Sequence, residues 1–175
     1  MTQTNAELLS RRQTLLGAAY QLFYESPVHL VRGEGVWLFD NEGRKYLDCY
    51  NNVPSVGHCH PDVVEALTTQ SGTLNTHTRY LHHAIVEYAE SLADPRPGNL
   101  SVCTLVCTGT EANDLAYRIA RTVTGNEGVI CTKGAYHGNS TLVSELSPEF
   151  ERIRPKPDFI ADVSPPDVYR GPFGE

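Results

Sequence analysis

The stretch Val102–Cys131, VCTLVCTGTEANDLAYRIARTVTGNEGVIC, decides the fold. Val102 to Cys107 is a nearly continuous apolar run, as in a strand covered on both faces, and Thr108-Gly109-Thr110 breaks it. Leu115, Ala116, Ile119, Ala120 and Val123 then fall on one side of a helix, where Asp114 and Arg118 are spaced to pair and Gly125 is a stop signal. Val129-Ile130-Cys131 resumes as a strand. Strand, helix and strand within about thirty residues make a βαβ unit, so a mostly parallel sheet is expected and the class is α/β.

Upstream, Leu8, Leu15, Ala19, Leu22 and Phe23 recur at helical spacing, predicting a helix from about Asn5 to Tyr24 that Pro27 ends. Leu30-Val31, Val36 to Phe39 and Tyr46-Leu47 are separated by two turn signals, Gly33-Glu34-Gly35 and Asp40-Asn41-Glu42-Gly43, and predict a small antiparallel meander. Pro61 opens a helix that closes near Ser71-Gly72. A further helix runs from about His82 to Ala93, closed by Pro95, Pro97 and Gly98. The last stretch, Pro155 to Glu175, is rich in Pro and Gly and reads as an irregular connection, on which a complete domain seldom ends.

A hydrophobic content of 40% with 20% charged residues is that of a chain able to bury a core. The net charge of −7, with no basic run, argues against nucleic acid or an anionic membrane as partner and favours small molecules and proteins. Glu7, Arg11 and Arg12 interrupt the N-terminal leucines, so a spanning helix and a secretory leader are not expected and a cytoplasmic location is. Of the five cysteines, Cys103, Cys107 and Cys131 sit in apolar runs and are expected to pack as free thiols, beside Cys49 and Cys59. His58-Cys59-His60 lacks a second ligand pair and reads as a turn before a helix, so no metal is expected.

Thr108-Gly109-Thr110-Glu111-Ala112-Asn113 lies where the apolar run turns into a helix. Free amide N–H groups and two hydroxyls converge there on a candidate anion site; ordinary helix capping is the competing reading of the same residues. Ala135-Tyr136-His137-Gly138 follows the next strand, placing a ring for stacking and an imidazole at the same carboxyl edge of the sheet. Two polar loops, Tyr50 to Pro61 and Asn75 to Leu81, are of the kind that carries binding residues, although solvated loops share that composition.

Taken in order, Gly35-Val36-Trp37-Leu38-Phe39-Asp40, Gly43 to Asp48, Gly57-His58-Cys59-His60-Pro61, Thr108 to Asn113, Ala120-Arg121 with Thr124-Gly125, and Ala135 to Gly138 resemble the class III, fold type I, aminotransferases over essentially the whole chain. Asn51-Asn52-Val53 and Asn75 to His82 are closest to the branch holding ethanolamine-phosphate phospho-lyases and relatives of alanine-glyoxylate aminotransferase. The resemblance implies an N-terminal part of the fold: residues 1–60 from the small domain, with the meander, and 61–175 from the large domain that holds pyridoxal 5'-phosphate. It implies transamination between an amine or amino acid and a keto acid or aldehyde, in a homodimer with active sites at the subunit interface. Elimination of phosphate from a phosphorylated amino alcohol and a non-catalytic dimerisation role are the alternatives. Thr108, Gly109 and Thr110 would serve the cofactor phosphate, Tyr136 would stack on its ring and His137 would sit beside it. Asn52 and Val53 would face substrate, with Arg79 and Tyr80 in a loop near the dimer interface. The only lysines are Lys45, Lys133 and Lys156, none at the family's Schiff-base position, and the carboxylate that pairs with the pyridinium is likewise expected beyond Glu175. No catalytic residue is therefore assigned, and activity of this chain alone is not expected.

Overall fold

In the computed structural model, the structure describes residues 4–50, 52, 54–94, 98, 100–149 and 155–174, in two compact units, 1–81 and 82–175.

The first unit opens with helix α1, Asn5–Leu16. Thr4 and Glu7 form a reciprocal capping box, which satisfies two of the amides orphaned at a helix start. The helix stops eight residues short of Tyr24. Gly17 takes φ 72°, a region costly for other residues, and its N–H closes on the Gln13 carbonyl. Beyond it the helix-spaced Leu22 and Phe23 remain exposed, so no packing face rewards further helix.

Strands β1 (Leu30–Glu34), β2 (Trp37–Asp40) and β3 (Lys45–Leu47) form the expected antiparallel meander in the order β1-β2-β3. Its second turn is organised by Asp40, only 7% exposed: Oδ1 accepts from Glu42 N and Arg44 N at 3.0 and 2.8 Å, and Oδ2 from the Tyr46 hydroxyl at 2.7 Å. On one sheet face, Arg32 lies 3.5 Å from the Phe39 ring centroid and Lys45 3.8 Å from that of Trp37, each cation covering a ring. Helix α2, Pro61–Thr73, belongs to this unit and begins, as predicted, on its proline.

The second unit holds α3 (His83–Ala93), α4 (Gly109–Thr124), β4 (Val129–Thr132), α5 (Thr141–Glu145) and β5 (Ile160–Val163). Pro95 and Pro97, expected to close α3, lie outside the described residues; Gly98 has φ 75°. Helix α4 carries a second capping box, Thr108 with Glu111, and ends on Gly125 at φ 70° with its N–H on the Arg121 carbonyl. The expected Asp114–Arg118 pair gives way to a bond from Ser140 Oγ to Asp114 Oδ2 at 2.8 Å.

Two expectations about the sheet are corrected. Val102–Cys107 is not a strand: the described residues offer no ladder partner, and Val102 is 91% exposed. An apolar run becomes a strand only where a neighbour takes up its N–H and C=O groups. The parallel pair is instead β4 with β5, in register from Val129↔Ile160 to Thr132↔Val163, and β5 rises from the Pro- and Gly-rich stretch read as irregular. The sheet is thus parallel, as expected for α/β, from a different pair of strands.

Cys131, Leu146 and Ile160 form the buried cluster, with Val129, Leu142 and Phe159 packed against it. All five cysteines are free thiols; only Cys131 is buried, and Cys107, expected inside, is exposed because its segment finds no cover. No helix among the described residues is long and apolar enough to cross a membrane, and no group of metal-binding side chains occurs among them.

Candidate functional site

At the N-terminus of α4 the capping box uses Thr108 and Glu111 on each other. Thr108 Oγ1 accepts from Glu111 N at 3.1 Å, while Glu111 Oε2 accepts from Cys107 N and Thr108 N at 2.8 and 3.2 Å. Ala112 N turns back to the Thr108 carbonyl. Among the described residues Gly109 N and Thr110 N find no partner and are the helix's open amides, and nothing lies within 4 Å of where Gly109 would carry a side chain. Two donors at the positive end of a sixteen-residue helix dipole attract an anion.

The loop after β4 packs directly on this end of the helix. Asn139 N lies 3.4 Å from Thr110 Oγ1, and that hydroxyl is 3.3 Å from Asn139 Oδ1. Gly138, at φ 141°, comes so close that a side chain on it would stand 2.6 Å from Thr110 Oγ1. The backbone of His137 is gripped from both sides: its N–H donates to Ser147 Oγ at 3.0 Å and its carbonyl accepts from Asn113 Nδ2 at 2.7 Å. Ser147 is wholly buried and also bonds the Val143 carbonyl at 2.8 Å. Tyr136, 53% exposed, and half-buried His137 are therefore carried on a braced loop beside Gly109 and Thr110. The sequence pattern placed these groups at one edge; it did not single out Asn139 and Ser147, which have no periodic signal, and Asn113 was visible only as part of the motif.

In the first unit Asn52 donates through Nδ2 to both oxygens of Asp48, at 2.9 and 2.8 Å. Asp48 Oδ2 is also 2.7 Å from His58 Nε2, which must carry the hydrogen because a carboxylate only accepts. These contacts, the Asn52 amide foremost, hold the Asp48 carboxyl below its ordinary value. Val53 lies outside the described residues. Arg79 and Tyr80 sit on a turn around His77: Arg79 N donates to His77 Nδ1 at 3.1 Å, and the rings of His77 and Tyr80 stack with centroids 5.1 Å apart.

The class III aminotransferase family profile matches residues 22–163. This chain belongs to the class III aminotransferases. It is 46% identical over 175 residues to the alanine–glyoxylate aminotransferase 2-like protein of Drosophila melanogaster, covering 97% of this chain and 35% of that protein. It is 38% identical to the ethanolamine-phosphate phospho-lyase homolog 1 of Caenorhabditis elegans, covering 97% of this chain and 37% of that protein. Among solved structures, a phospholyase from Arthrobacter in complex with phosphoethanolamine superposes with a TM-score of 0.84 at 45% identity, covering 92% of this chain and 38% of that one. The chain thus spans little more than a third of the length of these relatives.

Class III aminotransferases depend on pyridoxal phosphate. The second unit fits its anionic end: among the described residues two open amides and the side-chain-free approach at Gly109 form a cradle of suitable chemistry, with the Thr110 hydroxyl beside them and its hydrogen on Asn139 Oδ1.

Proposed function

We propose that this chain supplies the phosphate-holding part of a pyridoxal-phosphate enzyme that acts on primary amines, transferring the amino group to a keto acid or aldehyde. The open pair Gly109 N and Thr110 N beside the braced Tyr136–His137 loop carries the reading. The cofactor, when bound, supplies an electron sink for the carbon bearing the amine. The chain's own part is to hold and orient: Gly109 and Thr110 bind phosphate oxygens, Tyr136 offers a face for the ring, and His137 flanks it. Asn52, with Arg79 and Tyr80, addresses substrate.

The family homodimer is part of the proposal, as is the absence of turnover by this chain alone. Lys45 lies over Trp37 and Lys156 pairs with Asp162 at 3.1 Å, so both amines are engaged elsewhere. Titration with pyridoxal phosphate, followed by borohydride reduction and peptide mapping, tests this. Saturable binding without a lysine adduct is expected, and Thr110→Val weakens it about tenfold to a hundredfold, the worth of a hydrogen bond to a charged group. A stoichiometric adduct at Lys133 contradicts the holding role, and no binding at all contradicts the site.

A second reading, elimination of phosphate from a phosphorylated amino alcohol, is favoured by the 45% identity to the Arthrobacter phospholyase. Release of inorganic phosphate and an aldehyde from phosphoethanolamine without a keto acid, by the whole enzyme that carries this sequence, separates it from amino transfer, which requires the keto acid.

A further inference from the structure

Asp48 is a half-buried carboxylate to which neither the cofactor site nor the substrate reading assigns a role. Its side chain is 10% exposed, and three donors converge on it: Asn52 Nδ2 on both oxygens, His58 Nε2 on Oδ2 at 2.7 Å, and Tyr50 N on Oδ1 at 3.2 Å. His58 is itself locked. Its backbone exchanges hydrogen bonds with Gly35 at 2.7 and 3.0 Å, and its ring lies over Gly33 so closely that a side chain there would stand 2.7 Å from His58 Cβ. The carboxylate is thereby anchored to β1 through His58 and leads from the end of β3 into the loop that carries Asn52.

This has a chemical consequence for Asn52. An amide has one donor end and one acceptor end. Two carboxylate oxygens within 2.9 Å accept only the NH₂ end, since the opposite flip would set three acceptors against one another. The Oδ1 end must then face away from Asp48, from a residue that is itself exposed.

We infer that Asp48 is a positioning residue that sets the polarity of Asn52, so that this loop presents a hydrogen-bond acceptor and selects a ligand group that donates, an ammonium or a hydroxyl. The inference rests on the reading that Asn52 addresses substrate. It makes that reading specific: a donating group of the substrate, rather than its carboxylate or phosphate, is what Asn52 meets.

Asp48→Asn tests it, because the change keeps shape and hydrogen-bonding capacity while letting the Asn52 amide take either flip. In the ¹⁵N-labelled chain, the Asn52 side-chain amide protons are expected to exchange slowly and to shift on addition of phosphoethanolamine but not of ethyl phosphate, which lacks the ammonium. In the variant the meander resonances of Trp37 and Tyr46 persist, the Asn52 protection is lost, and the preference for phosphoethanolamine falls about tenfold to a hundredfold, the worth of one hydrogen bond from a charged group. Restoring the charge with Asp48→Glu recovers part of both.

Asn52 protection unchanged in Asp48→Asn overturns the inference. So does an Asn52 amide that depends on Asp48 yet responds to neither probe. In that case pyridoxal phosphate added to the same sample tells the two failures apart: shifts at Gly109 and Thr110 leave the cofactor reading standing, and their absence removes it too.

Discussion

Gly138 and Asp40 show how single residues set the limits of this chain. At Gly138, φ 141° and the approach to Thr110 act together, so Gly138→Ala is expected to cost about 1–3 kcal/mol in backbone strain alone. It also pushes aside the Thr110 hydroxyl next to the open amides. Denaturant unfolding and the pyridoxal phosphate dissociation constant are expected to worsen together, whereas at Gly128, where nothing lies within 4 Å and φ is ordinary, alanine leaves both near the parent values. Asp40 and Asp48 predict the acid limb of stability. The Tyr46 hydroxyl is the main cause of the lowered Asp40 carboxyl and the Asn52 amide that of Asp48, with His58 next. Both fold with values below the unfolded one of about 3.9. Their contribution is therefore complete above that pH and disappears as pH falls through the lower folded values. The unfolding midpoint is expected to hold steady from about pH 7 to 5 and to drop below about pH 4, and Asp40→Asn flattens its share of the drop.

Among the elements, α4 shows the capping that its sequence offered, with open amides beside it. Thr108 accepts the Glu111 amide in the box, and among the described residues Gly109 and Thr110 keep their amides open. Thr108→Ala is expected to cost about 1 kcal/mol of helix stability, read as faster amide exchange across α4, with pyridoxal phosphate affinity changed by less than about threefold. Thr110→Val is expected to do the reverse. Equal loss of cofactor affinity in both variants would show Thr108 acting in the phosphate site as well as in the cap. The meander, α2, α3 and α4 were legible because alternation, turn residues, Pro61 and the capping pattern are local signals. Helix α1 ran short of its spacing because Gly17 outweighed Leu22 and Phe23, which stay exposed even though the Phe23 ring meets Tyr50.

At the scale of the whole chain, apolar surface is left over. Leu81 and Val102 are essentially bare, Val63, Leu67, Ile119 and Val123 are exposed on α2 and α4, and the buried cluster is confined to the surroundings of Cys131, Leu146 and Ile160. Surface of that kind marks a binding face or an aggregation hazard. The 175-residue chain is expected to bind a hydrophobic dye in its native state and to unfold in urea with a slope below about 1 kcal/mol per molar, under the usual range for small proteins. A steep, reversible, concentration-independent transition with no dye binding would contradict this.

Family, class and the capped helix start at Thr108-Gly109-Thr110 were determined by sequence, because each rests on residues close together in the chain whose capping, turn and glycine chemistry acts locally. Val102–Cys107 shows where that reach ended. Its apolar run predicts a strand, yet strand formation depends on a neighbour, and β4 found its neighbour in Ile160–Val163, thirty residues on in a segment that reads as irregular. Only tertiary structure made that choice. The same holds for Ser147 under His137 and for Asp48 under Asn52: a buried hydroxyl and a half-buried carboxylate act through the atoms brought against them, and no spacing in the sequence records those contacts.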